Sequence, residues 1–148
     1  TCMLLKGLKA LDITAIASEQ YPKGLGSTVP EIKEALGIAP YLPKNTFSCM
    51  DDEGIRAAVE ASGCNTVLIC GAELHICVLQ TAMDLVAAGK TVAIVEDCVG
   101  SRTAHDMQIG LIRAQQEGIL LTTAEAILFE LQKVGSGPVF KTISKLVK

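Results

Sequence analysis

Short apolar runs alternate along this chain with longer amphipathic segments, and that alternation restricts the fold more than any other feature. The apolar runs fall at residues 13–18, 66–70, 91–96 and 119–122. Each has the length of a strand and is too short for a helix that buries one face. Helix-periodic segments occupy 3–11, 53–62, 75–88, 104–117 and the stretch running to Lys133, with a last amphipathic segment at 140–147. The start and stop signals agree. Asp51 or Asp52 can cap the helix that Gly63 ends, Gly89 and Gly118 terminate two more, and Thr122 or Thr123 can cap the next. Parallel strands need a crossover connection, and a helix supplies it. The expected architecture is a single α/β domain over 1–148: a three-layer, Rossmann-like open parallel sheet with helices on both faces.

Composition narrows the function classes. Hydrophobic residues make up 49% of the 148, enough for one core, and with 3% aromatics and no Trp that core must be Leu, Ile, Val and Ala. The formal charge is −3 and there is no basic run. A phosphate-neutralising surface needs clustered cations, so no nucleic-acid partner is expected. No apolar run has bilayer length, so no membrane partner is expected either. Cys2, Cys49, Cys64, Cys70, Cys77 and Cys98 form no CxxC. In a chain with an ample core they read as reduced thiols, which points to the cytosol or the mitochondrion. Residues 19–29 are a Gly-, Pro- and Ser-rich loop without a GxGxxG fingerprint, which argues against a dinucleotide site. Residues 30–36 read as a helical turn, and Pro40 and Pro43 bracket an extended stretch.

The most informative segment runs from Val67 to Val78. A buried strand leaves through Gly71 into a turn, and Cys77 falls at the start of a helix. Ligands of open α/β sheets collect at the carboxyl ends of strands. A helix N-terminus offers unpaired N–H groups and partial positive charge, which stabilise a thiolate and an oxyanion. Position alone leaves two readings open, a nucleophile or a thiol packed one turn into a helix. His75 lies two residues before Cys77, a spacing that does not place side chains face to face, so a capping or supporting role fits it better than a general base. Lys44 follows the rigid Pro43. A lysine beside a thiolate lowers the thiol pKa by Coulomb attraction. An ordinary solvated lysine is the other reading.

Several motifs, in order, resemble one family: Ser18–Glu19–Gln20–Tyr21–Pro22–Lys23–Gly24–Leu25–Gly26, Pro43 to Ser48, Gly71 to Ala82, Glu96 to Arg102, and Thr122 to Ala126. They are similar to the isochorismatase domain-containing proteins, a branch of the isochorismatase-like cysteine hydrolase superfamily. The resemblance implies a six-stranded parallel sheet and an Asp–Lys–Cys triad. It matches Cys77 to the nucleophile and Lys44 to the lysine. It implies a non-proline cis peptide at Ala72–Glu73 and an oxyanion hole from the backbone of Ala72, Glu73, Ile76 and Cys77. Gln20, Tyr21, Phe47, His75 and Arg102 are expected to line the substrate pocket, with Arg102 equally able to pair with Asp97 or Glu96.

The family's aspartate ends a first strand of the form hydrophobic–Asp–x–Gln, and this chain opens in a helix instead. The expectation is a domain lacking its N-terminal strand. Metal-bearing relatives use Asp-and-His clusters. With only His75 and His105 here, no metal and no cofactor is expected, and His105 beside Asp106 reads as a surface or cap residue. The implied activity is hydrolysis of an amide or related C–N bond in a small molecule, through a thioester, by a homo-oligomer. The alternative is an incomplete member acting as an interaction or regulatory protein.

Overall fold

The computed structural model describes residues 1–37 and 41–148. In chain order the elements are α1 (Cys2–Ala10), β1 (Ala17–Gln20), α2 (Pro22–Leu25), α3 (Pro30–Leu36), β2 (Tyr41–Lys44), α4 (Glu53–Ala61), β3 (Thr66–Ala72), α5 (Leu79–Ala87), β4 (Thr91–Gly100), α6 (Ala104–Gln116), β5 (Leu120–Thr122), α7 (Ala124–Gln132) and α8 (Gly137–Leu146). A 3-10 turn at Cys49–Asp51 precedes α4, and a π-helical turn at Leu74–Val78 precedes α5. Asp52 and Thr123 are the caps in use: the Ile55 N–H donates to Asp52 Oδ1 at 3.1 Å and the Ala126 N–H to Thr123 Oγ1 at 3.4 Å. Among the described residues no helix is long and apolar enough to cross a membrane.

All the strand pairs are parallel, as the alternation requires. They form two sheets, β3–β4–β5 and β1–β2. β4 is central and shows a two-residue period buried on both sides. Val92 and Ile94 join a cluster with Leu74, Val78, Leu79 and Leu85, while Val95 and Cys98 join Leu4, Leu8, Ile127, Leu128 and Ile143. Helices therefore cover both faces of this sheet, α5 and α6 on one, α1, α7 and α8 on the other. Among the described residues β1 and β3 each pair on one edge only.

Three expectations about elements are corrected. The strand placed at 13–18 lies at Ala17–Gln20, and Ile13 is 38% exposed. Pairing decides the strand here: β1 registers Ala17 to Tyr41 through Gln20 to Lys44, and among the described residues the more apolar ones before it have no neighbouring strand. The extended stretch ending at Pro43 is itself a strand, tolerated because among the described residues β2 is an edge that pairs only with β1; its Pro40 end lies outside the described residues. β4 does not stop at Glu96 but runs to Gly100, where Val99 and Gly100 pair with Gly71 and Ala72 across a register shift. That continuation carries the 97–100 segment up beside the turn that holds Cys77.

Candidate active site

The site is assembled where β1, β2 and β3 end. β3 leaves its sheet through Gly71, at φ +121, a conformation that a side chain would strain. The Ala72–Glu73 peptide that follows is cis. The π-helical turn then seats Leu74 and Val78 in the core, so the residues between them are fixed by the burial of their neighbours. α6 presses on this turn through Gly110, where a Cβ would lie 3.1 Å from Leu74 Cγ and 3.5 Å from His75 Cα. Cys77 sits in the last part of the turn, half-buried.

Lys44 ends β2 and is only 5% exposed. Its ammonium donates to the carbonyls of Thr46 at 2.7 Å and Phe47 at 2.8 Å, and to the side-chain oxygen of Gln20. A buried ammonium needs such partners for each of its protons. The Gln20 oxygen also lies 4.0 Å from Cys77 Sγ. The amide nitrogen of Gln20 donates to the Asn45 carbonyl at 3.1 Å, which fixes which way the amide faces. Lys44, Gln20 and Cys77 are thus brought together around one oxygen.

The remaining candidates form a rim. Tyr21 and Phe47 are 52% and 56% exposed, and both touch Lys44 through backbone atoms: the Tyr21 N–H donates to the Lys44 carbonyl at 2.9 Å. His75 Nδ1 is 3.0 Å from Ser101 Oγ, a supporting bond to the end of β4. Arg102 pairs with neither Asp97 nor Glu96. It binds Glu73 Oε2 at 3.1 Å, while Asp97 Oδ1 accepts the Ala124 N–H at 2.8 Å and so holds the start of α7. The Ile76 N–H, expected in the oxyanion hole, donates to the Glu73 carbonyl at 3.2 Å and holds the turn instead. His105 is exposed at the start of α6, where Thr103 is the capping residue. Among the described residues no group of three or more His, Cys, Asp or Glu is placed to hold a metal.

Cys70, on β3, contrasts with Cys77. Burial, reinforced by the neighbouring Cys98, pushes its thiol up to about 11, so it is inert at neutral pH. A cavity of about 360 Å³ lies elsewhere, toward the N-terminal ends of β3 and β4, lined by Thr66, Leu68, Thr91, Leu120, Ile127 and Glu130. It contains none of the candidate site residues. Sequence reasoning missed two participants. Ser101 came close only because β4 continues past Glu96. Thr81, buried, had one usable signal: it stands four residues after Cys77, one helical turn on.

Comparison with known proteins bears on the family and the fold. A family model described as "Isochorismatase domain" matches residues 1–126. Isochorismatase domain-containing protein 1 of Danio rerio is 41% identical over 145 residues, covering 98% of this chain and 51% of that protein. The chain thus spans about half the length of this curated relative. The solved MAR1 ribonuclease of Caenorhabditis elegans superposes with a TM-score of 0.92 at 37% identity, over 99% of this chain and 75% of that one. The YcaC gene product of Escherichia coli, described as an octameric hydrolase of unknown specificity, gives 0.91 at 25% identity, over 97% and 71%. The ribonuclease overturns the expectation that nucleic acid has no part as a partner. Net charge and the lack of a basic run speak only to a broad phosphate-binding surface. They do not test what a compact site at the strand ends accepts.

Proposed function

The chain belongs to the isochorismatase-domain family, and from that premise we propose that it is a cysteine-dependent hydrolase in which Cys77 attacks an amide or related C–N bond of a small molecule. The observation that carries the reading is the shared contact of the Lys44 ammonium and the Cys77 thiol with the Gln20 side-chain oxygen. Both groups meet the same oxygen, so the Lys44 ammonium belongs to the surroundings of the sulfur. The thiolate adds to the carbonyl carbon, and the resulting oxyanion is held by N–H groups of the turn that begins at Ala72. Collapse expels the amine with a proton, leaving a thioester, and water then releases the acid and restores the thiol.

The proton needs an acceptor. The reading assigns it to an aspartate at the end of a further strand, and among the described residues β1 and β3 each keep one edge open to such a strand. Tyr21, Phe47, His75 and Arg102 border the substrate, and Arg102 favours one that carries an acidic group. A homo-oligomer fits the octameric E. coli relative.

The test is mass analysis of the protein quenched during turnover of an amide panel. An acyl adduct on Cys77, absent in Cys77→Ser, supports the reading; turnover that survives Cys77→Ser sinks it. A second reading, cleavage of RNA, is favoured by the ribonuclease at 37% identity. RNA cut by the wild type and not by Cys77→Ser, with every amide untouched, would put the second reading first. No turnover of either substrate class, with an unreactive Cys77, would leave an interaction or regulatory protein.

A further inference from the structure

We propose that Thr81 is a positioning residue for this site, its hydroxyl setting the separation between the Lys44 ammonium and the Cys77 thiol. The inference rests on the reading of Cys77 as nucleophile. Thr81 lies on α5 and is 7% exposed, yet it is polar. Its hydroxyl donates to the Cys77 carbonyl at 2.7 Å and accepts the Cys49 N–H at 2.9 Å. A hydroxyl has one proton to give and two lone pairs, so both bonds stand together.

The second bond reaches the segment that carries the lysine. Between Lys44 and Cys49 the chain is locked on itself. The Lys44 ammonium holds the Thr46 and Phe47 carbonyls, Thr46 Oγ1 donates to the Ser48 carbonyl at 2.8 Å, and the buried Ser48 hydroxyl accepts the Met50 N–H at 3.1 Å. Such a segment moves as a unit. Thr81 ties its far end directly to the backbone of the nucleophile, as Gln20 ties its near end to the sulfur. A Ser or Thr in a helix that bonds back to the carbonyl four residues earlier is commonplace. One that also takes an N–H from another element fixes the register of the two.

The experiment uses the full protein. Carbamidomethylation of Cys77 by iodoacetamide at pH 7 is followed by mass of the Cys77 peptide, with the exposed Cys64 as internal reference. Thr81→Val keeps the shape and removes both bonds, and Thr81→Ala is the second variant should valine fail to fold. The expected result is a fall of about three- to tenfold in the Cys77 rate, as the cation and the sulfur lose their fixed spacing. Thr81→Ser restores the wild-type rate. In a Lys44→Met background Thr81→Val produces no further fall, because the cation it positions is gone.

A wild-type rate in both Thr81→Val and Thr81→Ala overturns the proposal. So does a Thr81→Val effect as large in Lys44→Met as in the wild type, since the hydroxyl would then act on the turn and not through the lysine. If wild-type Cys77 reacts no faster than Cys64, the nucleophile reading fails first, and the positioning role falls with it.

Discussion

In the three-stranded sheet, β4 sets Val92 and Ile94 against one helical layer and Val95 and Cys98 against the other. In the two-stranded sheet, β1 presents Ser18, Glu19 and Gln20, and each meets a polar partner: Cys49 Sγ at 3.4 Å, the Thr28 N–H at 2.7 Å, and Lys44 with Cys77. The first sheet is held by area removed from water, which is non-directional and tolerant of small shifts. The second is held by directed bonds, each of which fixes an atom. Lys44 and Cys77 come together where the two meet, Cys77 carried by the turn after β3 and Lys44 by the end of β2. A rigid core beneath a hydrogen-bonded rim keeps both in place.

The contrast breaks most visibly in the core. Ile94 is fully buried on β4, and Ile94→Ala should cost about 2–5 kcal/mol of stability, as such truncations do where the surroundings close only partly over the void. Chemical denaturation measures it. The Cys77 alkylation rate of the molecules that remain folded should match the wild type. A loss under about 1 kcal/mol would mean that the sheet relaxes freely and that its packing does not hold the turn.

The stability of the apolar sheet should carry a pH dependence from the buried Cys70 thiol. The Cys70 thiol is raised from the ordinary 9.0 to about 11 by burial and the nearby Cys98. Its folded pKa exceeds its unfolded one. Its contribution is therefore complete below about pH 9 and is lost as pH rises toward 11. Within that window the unfolded chain has released a proton that the folded chain keeps, so stability falls by about 1.4 kcal/mol per pH unit. Comparing the wild type with Cys70→Ala by denaturation at pH 8, 9, 10 and 11 isolates this slope from other groups. Parallel curves for the two proteins would refute it.

Much of this was legible in the residues, for a physical reason that also explains what was not. Runs such as 91–96 and helices bounded by Gly63, Gly89 and Gly118 announce themselves because burial and chain reversal demand particular residue types. β1 does not, since Ala17–Gln20 is polar and becomes a strand only by pairing with β2. The same holds at the site. Cys77 and Lys44 are singled out by a turn and a motif. The partners of Gln20 and Thr81 are settled by which loops meet in space, and that of Arg102 by β4 continuing past its apolar run to Gly100. Arg102 is the clear case: carboxylates near in sequence, Glu96 and Asp97, lose to Glu73, which the extended strand pair brings alongside.

Lys44→Met tests the polar sheet by itself. Methionine keeps the packing of the stem and removes the buried charge along with its bonds, so the loss of stability should stay below that of Ile94→Ala. The alkylation rate of Cys77 should nonetheless fall by about tenfold, through loss of the neighbouring cation. An unchanged rate would show that the ammonium serves only to hold the Thr46 and Phe47 carbonyls, and the division of labour between the two sheets would need redrawing.

The smallest effect belongs to the rim. Arg102 meets Glu73 across 3.1 Å, but its side chain is 73% exposed. An ion pair so open to water and salt contributes about 0–1 kcal/mol at most. Arg102→Ala should therefore leave the denaturation midpoint nearly unchanged. Its consequence should appear in binding. For a substrate with an acidic group, KM should rise while kcat holds, the signature of an interaction present equally in ground and transition states. For a neutral substrate of the same shape, KM should stay put. A fall in kcat would instead mean either that Arg102 reaches the reacting atoms or that freeing Glu73 disturbs the turn that carries Cys77. The neutral substrate decides between the two: a kcat loss confined to the acidic one is contact with substrate, and a loss common to both is disturbance of the turn.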